Sequence, residues 1–257
     1  MAENTQNTLE QTSEIHSRLF LGDCTEEMKK ISDNSVDCII TDPPYNLGLF
    51  MHKRGTNLAK MRENQFAYAG WDNLEFDEWT MNMENFFAEC ARVLKKKGNM
   101  IVFMAIIKVE TVIQIAQKYG FYYKTTGIWH KKNPMPRNKD LHFINSTESW
   151  IYFVNDGHTG TFNNEGKAVH DFMESSLCPM SEKKHGSHPT QKPLSILKTM
   201  IELLSNPNDV ILDPFMGSGS TCVASALTGR RYMGIELNQQ YYKIVEDRLS
   251  NIQELRK

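Results

Sequence analysis

Short apolar runs alternate with amphipathic stripes along this chain, and that alternation points to an α/β fold: a mainly parallel, doubly wound sheet with helices on both faces. Val36 to Thr41 (VDCIIT) is an apolar run that stops at Asp42-Pro43-Pro44, so it reads as a buried strand. Asp77 can cap a helix whose apolar positions are Trp79, Met83, Phe86, Phe87, Cys90, Val93 and Leu94. Their spacing of three and four makes one face, and Gly98 is placed to stop it. Met100 to Met104 is the next strand. Val109, Val112, Ile113, Ala116 and Tyr119 form a second stripe ending at Gly120, and strands follow near Tyr122 to Trp129 and Trp150 to Val154. The pattern then restarts. Pro193 suits a helix first turn ahead of Leu197, Met200, Ile201 and Leu204. A strand at Val210 to Leu212, a Gly-rich turn, a helix near Thr221 to Leu227, a strand at Arg231 to Ile235 and a helix near Gln239 to Leu249 complete it.

The 257 residues suit a single domain over 18–257 preceded by a polar tail at 1–17. The tail (MAENTQNTLEQTSEIH) has no apolar stretch of the kind a secretory signal needs. The longest apolar run, Met100 to Ile107, has eight residues where a membrane helix needs about 20, so no membrane association is expected. Five scattered cysteines without a C-x-x-C pair argue against a disulfide framework or a Cys-rich zinc site, and for a cytoplasmic location. The net charge of -2 gives no bulk signal for a nucleic-acid partner, so any such reading rests on local patches. Two segments, near 46–75 and 156–187, fit neither periodicity. They are polar and dotted with Lys, Arg, His and aromatics, and insertions of that kind are either functional or plain mobile surface.

Three motifs carry the chemistry. Asp42-Pro43-Pro44-Tyr45 ends a predicted strand, where ligands bind in open α/β sheets. Two prolines fix the backbone and remove two N–H donors, so the Pro43 carbonyl can sit rigidly beside the Asp42 carboxylate. Two acceptors and an aromatic face suit a planar group carrying an amine; an ordinary strand-to-loop turn is the plainer alternative. The second motif, Asp213-Pro214-Phe215-Met216-Gly217-Ser218-Gly219-Ser220-Thr221, joins a strand to a helix. Its glycines let a ligand approach the backbone, and Glu236, at the end of the next strand, stands where an acid commonly holds ribose hydroxyls. The spacing is G-x-G without a third glycine, so it points to a nucleoside-containing cofactor without specifying which. In the third, His188-Pro189-Thr190-Gln191-Lys192-Pro193, the Thr190 hydroxyl and Lys192 ammonium can face a ligand carboxylate, or the prolines simply frame a helix start.

In this order the three motifs resemble the permuted β class of DNA amino-methyltransferases, from about Leu19 to Leu249. The resemblance implies a Rossmann-like methyltransferase fold with circularly permuted motif order. It also implies S-adenosyl-L-methionine as cofactor, S-adenosyl-L-homocysteine as product, no metal, and the exocyclic amine of a flipped-out or unpaired base as target. Asp42, Pro43, Pro44 and Tyr45 are then the catalytic set, with Tyr45 stacking on the base. Gly22-Asp23-Cys24 resembles the family's adenine-contacting segment. Asp213, Phe215, Gly217, Ser218, Gly219 and Thr221 match the methionine-binding loop, although Ser220 stands where related loops commonly have Thr. Glu236 matches the ribose-binding acid, His188, Thr190 and Lys192 join the cofactor site, and Trp129 is expected to wall the base pocket. D-P-P-Y rather than S-P-P-Y favours adenine N6 over cytosine N4 within the family.

DNA is the expected partner, contacted by Lys53, Arg54, Lys60 and Arg62 in the first insertion, by Lys131, Lys132, Arg137 and Lys139 near the pocket, and by Lys183 and Lys184 in the second. A homodimer and a cognate restriction endonuclease are compatible with the resemblance. Competing readings are an RNA substrate, a protein-glutamine methyltransferase, an inactive nucleic-acid-binding homologue and a nicotinamide dehydrogenase. Motif order and the opening Asp weigh against the glutamine enzyme, and the intact Asp42, Tyr45 and Gly loop weigh against the inactive homologue. The dehydrogenase lacks the third glycine.

Overall fold

In the computed structural model, which describes residues 17–47, 74–135, 140, 143–186 and 188–255, eight strands form one sheet. The chain enters through β1 (Arg18–Leu21), α1 (Cys24–Met28), β2 (Val36–Thr41), α2 (Phe76–Val93), β3 (Leu94–Met104) and α3 (Val109–Lys118). It continues through β4 (Phe121–Lys131), β5 (Thr147–Asn155), β6 (Phe172–Ser175), α4 (Leu194–Leu204), β7 (Val210–Asp213), α5 (Ser220–Leu227), β8 (Arg231–Glu236) and α6 (Gln239–Ser250). The strand order is β1-β8-β7-β2-β3-β5-β4-β6. Only the β3–β5 and β5–β4 pairs are antiparallel. The late strands β7 and β8 lie between the early strands β1 and β2, so the two halves of the chain share one central sheet.

Alternation along the strands builds a core on each face of the sheet. Ile39, Met100, Val102, Ile151, Phe153 and Leu212 point to the face covered by α1, α2 and α3. Cys38, Ile40, Ile101, Phe103, Tyr152 and Ile211 point to the face covered by α4 and α5. Each fully buried side chain of this size contributes about 1.5–3 kcal/mol. The Trp79 stripe of α2 is buried within the chain: Trp79, Met83, Phe86 and Phe87 are all inaccessible to solvent.

The helix boundaries differ from expectation in two ways. Glu75, not Asp77, is the residue before the first turn of α2, and it makes no side-chain cap; Asp77 lies inside that turn, where its charge suits the helix dipole. Gly98 does not stop the helix, because Leu94 already takes extended backbone (φ -77°, ψ 130°) and begins β3, which contains Gly98. The segment read as an unstructured insertion at 156–187 carries a strand and a 3-10 turn. β6 pairs in parallel with β4, and Met180–Lys183 forms the turn. Its side chains are mostly exposed, which is why it shows no clean period. No helix among the described residues is long and apolar enough to cross a membrane. The tail residues 1–16 and most of the first insertion lie outside the described residues.

Candidate active site

Strands β1, β8, β7, β2 and β3 run parallel, so the residues that follow their carboxyl ends meet along one edge of the sheet. β2 and β7 are neighbours there. The chain leaves β2 toward β3 on one side and β7 toward β8 on the other, which opens a crevice between the two loops. Thr41, Asp42, Phe103, His188, Thr190, Lys192, Asp213, Phe215, Gly217, Ser218 and Thr221 line it.

The Asp213 carboxylate is 4% exposed and anchors both loops. It accepts from the Thr41 hydroxyl at 2.8 Å and from the Phe215 amide at 3.1 Å. Burial pushes its carboxyl up to about 6. Glu236 accepts from the Gly217 amide at 2.9 Å and the Asn238 amide at 2.7 Å, and burial pushes its carboxyl up to about 7. Among the described residues neither acid has a cationic side-chain partner. Gly217 has φ +52°, and the nearest atoms to a Cβ there would be the His188 ring at 3.7 Å, so the missing side chain leaves the crevice floor open. Two carboxyls without a cationic partner, Asp213 buried and Glu236 half-buried, suit a ligand bearing hydroxyls and positive charge, and S-adenosylmethionine carries both.

Gly219 does a different job. At φ +73° it precedes the first residue of α5, and a Cβ would lie 2.5 Å from Val245 Cγ1 on α6. From the same helix the Arg248 guanidinium, 0% exposed, reaches under the loop. It donates to the Ser218 carbonyl at 2.5 Å and to the Ser220 hydroxyl at 3.2 Å. The His188 ring meets Tyr241 edge-on at 4.4 Å and holds the Thr190 hydroxyl at 3.1 Å from Nδ1. Burial, with Lys192 nearby, pushes the imidazole down to about 4, so it is neutral at pH 7.

Asp42 lies directly after β2, and both of its oxygens are held. The Tyr45 hydroxyl donates to Oδ1 at 2.6 Å, and the Lys192 ammonium donates to Oδ2. Behind them Trp79 Nε1 donates to the Pro44 carbonyl at 3.4 Å, fixing the diproline turn on α2. Asn46 closes the loop by bonding both the amide and the carbonyl of Leu74, each at 3.0 Å.

Most of the expected residues gather here: Asp42, His188, Thr190, Lys192, Asp213, Phe215, Gly217, Ser218 and Thr221 line the crevice, and Tyr45 and Glu236 touch its wall. Other expected residues have partners within the chain. Lys192 lines the crevice but is only 7% exposed, and its ammonium is paired with Asp42 and Glu148. Asp23 caps α1, accepting from the Thr25 and Glu26 amides, and the Cys24 thiol is buried in the core with Met28. Trp129 is a core residue, 2% exposed, whose indole donates to the Ser175 hydroxyl at 2.8 Å. β4 alternation turns Trp129 inward, toward the core. Lys131 is paired with Glu148 at 2.6 Å and mostly buried. Lys132 is 56% exposed and pairs with Glu174, while Lys183 is half-buried on the 3-10 turn. Lys53, Arg54, Lys60, Arg62, Arg137 and Lys139 lie outside the described residues. Thr41, Asn46, Glu148 and Arg248 were not foreseen; the only local signal was a polar Thr41 ending an apolar strand.

Residues 36–247 match the model of a family described as DNA methylase. The type II methyltransferase M.HinfI of Haemophilus influenzae is 33% identical over 261 residues, spanning 95% of this chain and 71% of that protein. The type II methyltransferase M2.LlaDCHI of Lactococcus lactis subsp. cremoris is 32% identical over 242 residues, spanning 90% of this chain and 88% of that one. Among solved structures, the M1.HpyAVI–SAM complex superposes with a TM-score of 0.66 at 25% identity, covering 90% of this chain and 98% of that one. The PvuII DNA methyltransferase, cytosine-N4-specific, has the same fold, with a TM-score of 0.73 at 16% identity over 94% of this chain and 91% of that one.

Proposed function

Since this chain belongs to the DNA methylase family and is a DNA methyltransferase that uses S-adenosylmethionine, we propose that its target is the exocyclic N6 amine of adenine. When bound, that cofactor supplies the electrophilic methyl group. Glu236 would hold its ribose hydroxyls, and the 213–221 loop with His188 and Thr190 its methionine part.

The observation that carries the reading is the Asp42 carboxylate, held by Lys192 and Tyr45 at the mouth of the crevice that contains Asp213 and Gly217. Adenine N6 is a weak nucleophile because its lone pair is delocalised into the ring. Asp42 accepts one N6–H and the Pro43 carbonyl the other, which pulls the nitrogen toward tetrahedral geometry and aims its lone pair into the crevice. Positioning and electrostatics therefore do most of the work. The D-P-P-Y form of the motif supports adenine over cytosine. In the described geometry the Tyr45 hydroxyl occupies Asp42 Oδ1, so stacking on the base requires Tyr45 to leave that bond.

A duplex hides N6 from this edge of the sheet, so the base is flipped out or already unpaired. The exposed Lys132, with Lys53, Arg54 and Arg137, provides phosphate contacts. The type II relatives support a cognate restriction endonuclease as partner, and the substrate makes the cytoplasm its place of work. Replacing Asp42 with Ala tests the reading. Methyl transfer to DNA should be lost while cofactor affinity stays within a few-fold; activity equal to wild type refutes the role of Asp42.

A further inference from the structure

The antiparallel strand β5 enters the sheet at the edge where β3 and β4 leave it, with Ser149 beside Met104 and Glu148 beside Trp129. This brings Glu148, which belongs to none of the sequence motifs, to the catalytic edge. Its Oε1 pairs with Lys131 at 2.6 Å, and its Oε2 forms an ion pair with the Lys192 ammonium at 3.1 Å without hydrogen-bond alignment. Lys192 in turn reaches Asp42 Oδ2 and lies 4.8 Å from the centre of the Phe103 ring. The result is a line of alternating charges, Lys131–Glu148–Lys192–Asp42, ending at the Tyr45 hydroxyl.

We propose that Glu148 is a positioning residue for the target amine: acting through Lys192, it fixes which oxygen of Asp42 faces the incoming base. This inference rests on the assignment of Asp42 as the amine's acceptor.

The physical argument is one of rotors. A carboxylate on a single loop residue can turn about its Cβ–Cγ bond and present either oxygen. An ammonium is a compact charge on a flexible four-carbon stem, and does not by itself set a direction. Two anchors do. With Lys192 tied to Glu148 on one side and Asp42 on the other, Oδ2 is pinned toward α4. Oδ1 is left facing the place now taken by the Tyr45 hydroxyl, a donor that the amine can replace. Glu148 is itself pinned, because its second oxygen is held by Lys131. Neutralising a buried lysine calls for one carboxylate, and Asp42 already supplies it. A second carboxylate, braced by a second lysine, adds direction.

Glu148→Gln keeps the shape and removes the charge that draws Lys192 back. At saturating DNA and cofactor, kcat should fall at least tenfold, while the cofactor Kd, measured by calorimetry, stays within twofold and the thermal midpoint remains that of a folded protein. Glu148→Asp keeps the charge on a shorter arm and should recover part of kcat. A Glu148→Gln kcat within twofold of wild type overturns the proposal. So does a fall in kcat matched by an equal loss of cofactor affinity, which marks a general structural role. If Glu148→Gln does not fold, Glu148→Asp decides: a kcat equal to wild type overturns the proposal, and a lowered kcat with unchanged cofactor Kd supports it. The Asp42→Ala enzyme separates the two ideas. If it remains active, the acceptor assignment fails whatever Glu148 does; if it is dead and Glu148→Gln is normal, only the positioning role fails.

Discussion

Replacing Gly219 with Ala should destabilise the fold, whereas the same change two residues earlier should act on the ligand. Gly219 has φ +73°, a conformation that costs a residue with a Cβ about 1–2 kcal/mol. Its added Cβ would lie 2.5 Å from Val245 Cγ1, and overpacking of that kind costs about 1–3 kcal/mol. Together these give about 2–5 kcal/mol, a large share of the roughly 5–15 kcal/mol that holds a domain folded. The midpoint of thermal unfolding should drop by roughly 4–20 °C. The cause can be isolated by urea unfolding of Gly219→Ala, Val245→Ala and the double variant. Val245→Ala opens a cavity in the wild type but relieves a clash beside Ala at 219, so the two penalties should overlap by about 1–3 kcal/mol. Strict additivity, or a Gly219→Ala protein as stable as wild type, would refute the packing argument. Gly217→Ala has φ +52° but free space, with His188 3.7 Å away. It should cost only about 1–2 kcal/mol of stability, yet reduce cofactor affinity more than Gly219→Ala does, because its methyl projects into the crevice.

Further predictions concern charge and packing around the same loop. Burial raises the Glu236 carboxyl from 4.5 to about 7 and that of Asp213 from 3.8 to about 6, so the folded state keeps protons that the unfolded chain has released. Stability from these groups is fully present below the unfolded values and is lost as pH rises through about 6 to 7; urea midpoints should fall across that window, and Glu236→Gln should flatten the slope. Arg248→Met removes a guanidinium whose Nε and Nη2 are buried without partners, so stability should change by less than about 2 kcal/mol. The Ser218 carbonyl loses its donor, and cofactor affinity measured by calorimetry should fall by about tenfold, the equivalent of one charged hydrogen bond. Trp129→Phe should leave the KM for DNA unchanged and cost about 1–2 kcal/mol in urea unfolding, because it loses only the bond to Ser175 and some packing; a raised KM with unaltered stability would return Trp129 to the base pocket.

Two of the three motifs were legible because each ends a strand on the same edge of the sheet. Asp42 directly follows β2, Asp213 and Glu236 end β7 and β8, and parallel pairing then brings them together without any further information. What local sequence could not show were the partners supplied by distant strands and helices. Glu148 reads as one more charge before an apolar run, and only the antiparallel entry of β5 brings it to Lys192. Arg248 reads as a surface charge on an amphipathic helix, but the close approach permitted by Gly219 buries it under the loop. Lys131 and Lys192 look like free cations, and both are taken by carboxylates 17 or more residues away. Trp129 was placed at the base pocket by resemblance alone, and strand alternation turns its indole into the core.

The most direct test of the central claim is methyl transfer from labelled S-adenosylmethionine to unmethylated DNA, single- and double-stranded, followed by digestion and nucleoside analysis. The account predicts label in N6-methyladenine, absent with Asp42→Ala. Label in N4-methylcytosine would contradict the assignment of the base, and label in neither DNA by an enzyme that binds the cofactor would contradict DNA as the substrate of this site.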